Sequence, residues 1–277
     1  MRPLSIRRPP PARAQPRRPL PFSNFFKDRR RRKYSSATGS RARDGSAGNL
    51  LKLDDTWNPG GQLSPYEWSA LRLSLIVSFW AVLLSLPFGI GWAWLLARKD
   101  FPGKFFVDGL MHLPLVVPPV VAGYLLLVLF GRNGPLGQLL YSLFGITLAF
   151  NWKGAVLAAA VMSFPLMVRA IRLSIEAVDR GIEDAARTLG AGPFRTFFTI
   201  TLPLAIPGVL SGLILAFARC LGEFGATITF VSNIPGQTQT LPLALYTYTQ
   251  VPDGEAGALK LSIISISVAV VALMASE

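Results

Sequence analysis

Arg219 and Glu223 are the sharpest charges inside the apolar body of this 277-residue chain. Four residues apart, they share one face of a helix and can pair. Ionisable groups at membrane depth face a protein interior and often mark a route for ions. Two readings therefore stand side by side: a pathway lining in which Arg219 attracts an anion, or a structural salt bridge near a helix end. Phe224 adjoins the pair. His112 is the only histidine and Cys220 the only cysteine. Catalysis needs a nucleophile beside a base, or a cluster of metal ligands. One His, one Cys and no paired carboxylates deep in the apolar runs argue against an intramembrane enzyme and against a metal site. His112, with Pro118 and Pro119, is a candidate gate lining; a structural histidine bonding backbone groups that proline frees is the expected role. The phosphate loop Gly-x-x-x-x-Gly-Lys-Ser/Thr does not occur, so the chain is not expected to hydrolyse ATP by itself.

The second stretch with chemistry to offer is 183–208, mixed in charge and set between long apolar runs. The spacing predicts a short helix over 182–189 with Ile182, Ala185, Ala186 and Leu189 on one face. Gly190 and Gly192 permit a sharp turn, since glycine takes positive φ without steric cost. Pro193 suits the first position of a second short helix, which would present Phe194, Phe197 and Phe198 as an apolar ridge. Pro203 and Pro207 mark the change of direction into the next apolar run.

These stretches need a frame, and the composition supplies it. Apolar residues make up 51% of the chain and aromatic residues 11%, which is the profile of an all-α polytopic membrane protein. The formal charge of +13 is concentrated: residues 1–50 hold fourteen Lys or Arg against Asp28 and Asp44. Residues 1–62 are rich in Arg, Pro and Ser and are expected to be a disordered extension, resembling a transit leader or reflecting an artefact or a misassigned start. Residues 63–277 form the apolar body. Membrane runs of about twenty apolar residues are expected at 68–97, 106–130, 154–173, 202–224 and 256–277. The second is expected to kink at Pro114, Pro118 and Pro119, and the third to be interrupted at Pro165. Basic residues gather at 98–104 and 169–195, so the positive-inside rule puts the loop 174–201 in the cytoplasm. A tail with fourteen basic residues would resist export, so it is expected to be absent from the mature protein. Asn233, Pro235 and Gly236 fall in an outer loop, where they would shape a mouth or simply a turn.

Asp184-Ala185-Ala186, then Gly190 after three residues, then Ile200, Leu202 and Pro203, resembles the "EAA" coupling loop of ABC importer permeases. Asp184 stands in the position of the family's glutamate, with Glu183 before it. Leu86-Pro87-Phe88-Gly89-Ile90, the run from His112 to Val121, Met162 to Arg169, and Leu221 to Gly236 are similar to the molybdate importer branch. The resemblance implies a five-helix core of the MetI-like (type I) importer fold and a loop of Glu183, Asp184, Ala185, Ala186, Leu189, Gly190, Ile200, Leu202 and Pro203 docked on an ATPase subunit. It also implies two ATPase copies carrying ATP and Mg, a second copy of this chain, and a periplasmic or lipid-anchored molybdate-binding protein. The site would be the cell inner membrane, with no cofactor on this chain and no nucleic-acid partner. Because the family continues past its fifth helix, truncation after Glu277 is expected. Sulfate-type permeases are the alternative within the class; a passive channel or membrane scaffold, which needs no docking loop, is the alternative outside it.

Overall fold

The computed structural model describes residues 63–252 and 254–274, all helix and connecting loop. The extension 1–62 and the chain end at 275–277 lie outside the described residues. Helix α1 (Pro65–Arg98) starts three residues earlier than the apolar pattern suggests. The cause is a capping box: Ser64 Oγ accepts the Glu67 N–H at 3.2 Å, and Glu67 Oε2 accepts the Ser64 N–H at 2.8 Å.

The expected single helix 106–130 is two helices, α2 (Lys104–Val116) and α3 (Pro119–Phe130), meeting at 112°. Proline disfavours the α conformation at the residue before it. Pro118 and Pro119 in succession therefore leave Val117 and Pro118 extended, at ψ of 135° and 132°. Helix α4 (Pro135–Phe144) follows, and then α5 (Trp152–Ala177). Pro165 does not interrupt α5, contrary to expectation; it is buried, and packing tolerates a proline where neighbours cover the freed backbone.

Next come α6 (Arg180–Thr188), α7 (Pro193–Thr196), a π-helical stretch Phe197–Thr201 and α8 (Leu202–Leu221). Helix α8 stops before the expected 224, because a separate α9 (Gly225–Val231) begins there. The chain closes with α10 (Leu241–Gln250) and α11 (Glu255–Met274). Helices α1, α5 and α11 and the segment Pro193–Leu221 are long and apolar enough to cross a membrane; α2 and α3 pass the same test only taken together, as a pair bent by 112°. Helices α4 and α10 are too short to span, at ten residues each.

Helix α5 is the axis, packed along α1 on one side and α8 on the other. Its contact faces carry Ala155, Ala158, Ala159, Met162, Met167, Ile171 and Ile175, all buried. Small residues bring backbones close where lipid supplies no hydrophobic drive. A Cβ on Gly208 would sit 2.0 Å from Ser174 Cβ, and one on Gly212 would lie 3.1 Å from the Met167 carbonyl. Gly208→Val should therefore force α8 off α5 and cost about 1–3 kcal/mol, as overpacking does. The unfolding midpoint of the detergent-solubilised protein reads this directly; an unchanged midpoint would mean the two helices separate freely.

Candidate functional site

The loop between α5 and α8 is built from local rules. Asp179 caps α6 by accepting the Gly181 N–H at 2.8 Å. At the other end the Gly190 N–H bonds the Arg187 carbonyl at 2.9 Å and the Ala191 N–H bonds the Ala186 carbonyl at 3.0 Å. That pair of bonds, with Gly190 at φ 87°, is a Schellman cap, which is why glycine stands at this offset. Pro193 then opens α7 at its first turn. Pro203 has no N–H to continue the ladder, and the turn before it widens: the Leu202 N–H reaches back five residues to the Phe197 carbonyl. Ile200 and Leu202 are half-buried at this junction and Pro203 is exposed.

The loop turns an apolar face outward. Leu189 is 89% exposed, Phe194 76%, Phe198 62% and Ile182 48%. Ala185 is exposed and Ala186 half-buried. Phe197 leaves the expected ridge: its ring packs edge-on against Trp94 of α1 at 5.6 Å. The two acids divide in the same way. Asp184 is exposed and pairs along its own helix, with Arg187 at 3.0 Å. Glu183 is buried and bound to Arg98 at 2.9 Å and to the Thr201 hydroxyl at 2.6 Å. Neither Arg98 nor Thr201 stands out in the sequence; the only signal is that Arg98 closes the first apolar run.

Arg219 and Glu223 do pair, Nη1 to Oε2 at 2.7 Å, with Glu223 buried and Arg219 partly open. The other carboxylate oxygen of Glu223 accepts the Ala226 N–H at 2.9 Å and so caps the first turn of α9. Phe224, beside it, lies against Tyr246 at 5.3 Å. The break at Pro118 and Pro119 adjoins this place, since a Cβ on Gly225 would sit 2.7 Å from Pro119 Cβ. The two interruptions in the helical body are thus side by side. His112 lies on α2 before the break: its Nδ1 lies 2.8 Å from the Asp108 carbonyl, which only accepts, so Nδ1 carries the proton. The carbonyl freed by Pro114 is that of Leu110, so His112 bonds a different one. Asp108 in turn accepts from Arg172 at 3.1 Å, and Arg172 from α5 also holds Glu176 at 2.7 Å.

After α9, Pro235 and Gly236 occupy the centre of a turn closed by Gln237 N–H to the Ile234 carbonyl at 3.1 Å. Gly236 sits at φ 73°, the requirement of a type II turn. Asn233 bonds Thr247 at 2.8 Å and accepts from Gln239 at 2.9 Å, tying the turn to α10.

A broken-helix bundle with an outward apolar loop between two spans is the build of a membrane transport permease. Residues 85–276 match the family described as binding-protein-dependent transport system inner membrane component, and the chain belongs to that family. It is 66% identical over 215 residues to the molybdenum transport system permease protein ModB of Escherichia coli K12, covering 78% of this chain and 94% of that one. It is 59% identical to the ModB of Haemophilus influenzae, over 76% of this chain and 92% of that one. A sulfate transport system permease protein, CysW of Synechococcus elongatus, is 42% identical over 63% of this chain and 60% of its own length. In fold, the chain matches the inward-facing MetNI methionine ABC transporter with a TM-score of 0.57 at 13% identity, covering 76% of this chain and 91% of that one. It is a multi-pass inner-membrane transport subunit with the MetI-like importer fold.

Proposed function

We propose that this chain is the permease subunit of an ATP-driven importer that moves molybdate into the cytoplasm. The observation that carries the reading is the 66% identity spanning nearly all of a molybdenum permease, against 42% over a shorter stretch of a sulfate permease. Two copies of the chain would enclose one pathway, with two ATPase subunits inside and a molybdate-binding protein outside. ATP and Mg would bind on the ATPase subunits, since this sequence has no phosphate loop. The loop 174–201 faces the cytoplasm in this reading, because Arg98, Lys99, Lys104, Arg180, Arg187 and Arg195 lie on its side of the body. Its exposed Ile182, Leu189, Phe194 and Phe198 fit an apolar groove on the ATPase, and Asp184 with Arg187 a polar rim. ATP binding would draw the two loops together and open the pathway outward; hydrolysis would reset it. Arg219, next to two helix breaks, is the residue best placed to meet an anion on the way. A weak site serves an importer better than a tight one, which would hold its cargo.

The test is ATP-dependent uptake of labelled molybdate into vesicles carrying the permease, its ATPase and its binding protein. Uptake blocked by tungstate and unaffected by sulfate is the expected result. Sulfate transport would move the chain to the sulfate branch, and no oxyanion transport by an assembled, ATP-hydrolysing complex would overturn the substrate reading.

A further inference from the structure

We propose that Glu183, together with Arg98 and Thr201, is the strut that carries movement of the loop into helix α1. This rests on the reading of 174–201 as the ATPase-coupling loop. The chain itself ties α6 to α5 and, through α7 and the π stretch, to α8. Helix α1 ended some eighty residues earlier and can be moved only through side chains. One carboxylate oxygen gathers the three elements. Glu183 Oε1 accepts from Arg98 Nε at 3.1 Å and Nη2 at 2.9 Å, and from the Thr201 hydroxyl at 2.6 Å. Arg98 Nη2 also donates to the Val178 carbonyl at 2.9 Å, at the root of the loop. Arg180 reaches back to the Ala97 carbonyl at 3.5 Å.

The side chains of Arg98 and Glu183 are 7% and 4% exposed. A buried ion pair whose hydrogen bonds are satisfied is stiff, because sliding the partners apart strands a charge away from water. One turn before Arg98, on the same face of α1, Trp94 grips Phe197 of the π stretch. The loop thus has a polar and an apolar hold on the end of α1, and a push on its outer face displaces that end with it. Glu183 has little surface to give to a partner, and its other carboxylate oxygen lies 4.0 Å from Arg187 Nη2 on its own helix. Asp184, the residue in the motif's acidic position, is the one free to face the ATPase, and it takes no part in the strut.

The experiment uses the reconstituted complex of permease, ATPase and binding protein, and reads ATP hydrolysed per molybdate taken up. Glu183→Gln and Arg98→Gln should each raise that ratio about tenfold. The double variant should be no worse than the worse single, as for one shared interaction. Thr201→Val, which removes one hydrogen bond and strands no charge, should raise it about threefold. It decides the question alone if either charge variant fails to assemble. An unchanged ratio, including a parallel fall of hydrolysis and uptake, would mean a structural fastening and overturn the strut. Leu189→Cys, in a chain whose native Cys220 is buried, separates the two ideas by cross-linking to the ATPase. No cross-link would overturn the loop reading and the strut with it; a cross-link with an unchanged ratio would overturn the strut alone.

Discussion

Gly190→Val is expected to leave the membrane body folded and ATP hydrolysis running while molybdate uptake falls about tenfold or more. Space is not the reason: a Cβ at Gly190 would meet nothing within 4 Å. The backbone is. Gly190 sits at φ 87°, where a residue with a Cβ loses about 1–2 kcal/mol and a β-branched one more. The cap that ends α6 would open, and α7 would leave at a different angle, carrying Phe194 and Phe198 away from the plane of Leu189. Gly190→Asn should be the mildest change, because asparagine tolerates this conformation. Uptake and ATPase rates measured on the same vesicles give the answer. A valine variant with normal uptake would mean that this turn does not aim the docking face.

Glu223→Ala is expected to cost about 2 kcal/mol, the loss of a charge-assisted hydrogen bond and of a helix cap, and to lower the yield of assembled complex. It strands Arg219 and also uncaps α9, because the two carboxylate oxygens do different work. Glu223→Gln keeps an acceptor for the Ala226 N–H and should assemble. Arg219→Gln should assemble as well if its side-chain amide still donates to the buried Glu223 carboxylate, and should reduce uptake about tenfold if it meets the anion. Size-exclusion yield and uptake rate separate the outcomes. Loss of assembly in Arg219→Gln would make the pair purely structural, whereas normal uptake would remove Arg219 from the route.

Neutralising either member of that pair looks equivalent from the sequence, where the two are simply opposite charges four apart. The structure makes them unequal, because only Glu223 faces a helix N-terminus. The same holds at the loop. Glu183 and Asp184 are neighbours of like chemistry, and nothing local says which turns inward. The choice is made by Arg98, 85 residues away. Phe197 is withdrawn from the ridge by Trp94 in the same way.

What the sequence determined by itself is whatever a short window dictates. A membrane span must be apolar over its whole length, so the long helices are visible in composition. A left-handed residue calls for glycine, so the turn at Gly190 is visible, as is the turn at Pro235-Gly236. Two successive prolines disfavour α conformation at two neighbouring residues, so a break near Pro118 is visible, though not its angle. Only the tertiary structure decided that Pro165 would pass through an unbroken helix, that the breaks at Pro118 and at Gly222–Phe224 would lie against each other, and that Glu183 rather than Asp184 would join the loop to α1. Those outcomes depend on which distant side chain arrives to cover a freed carbonyl or pair a buried charge, and sequence spacing carries no measure of that distance.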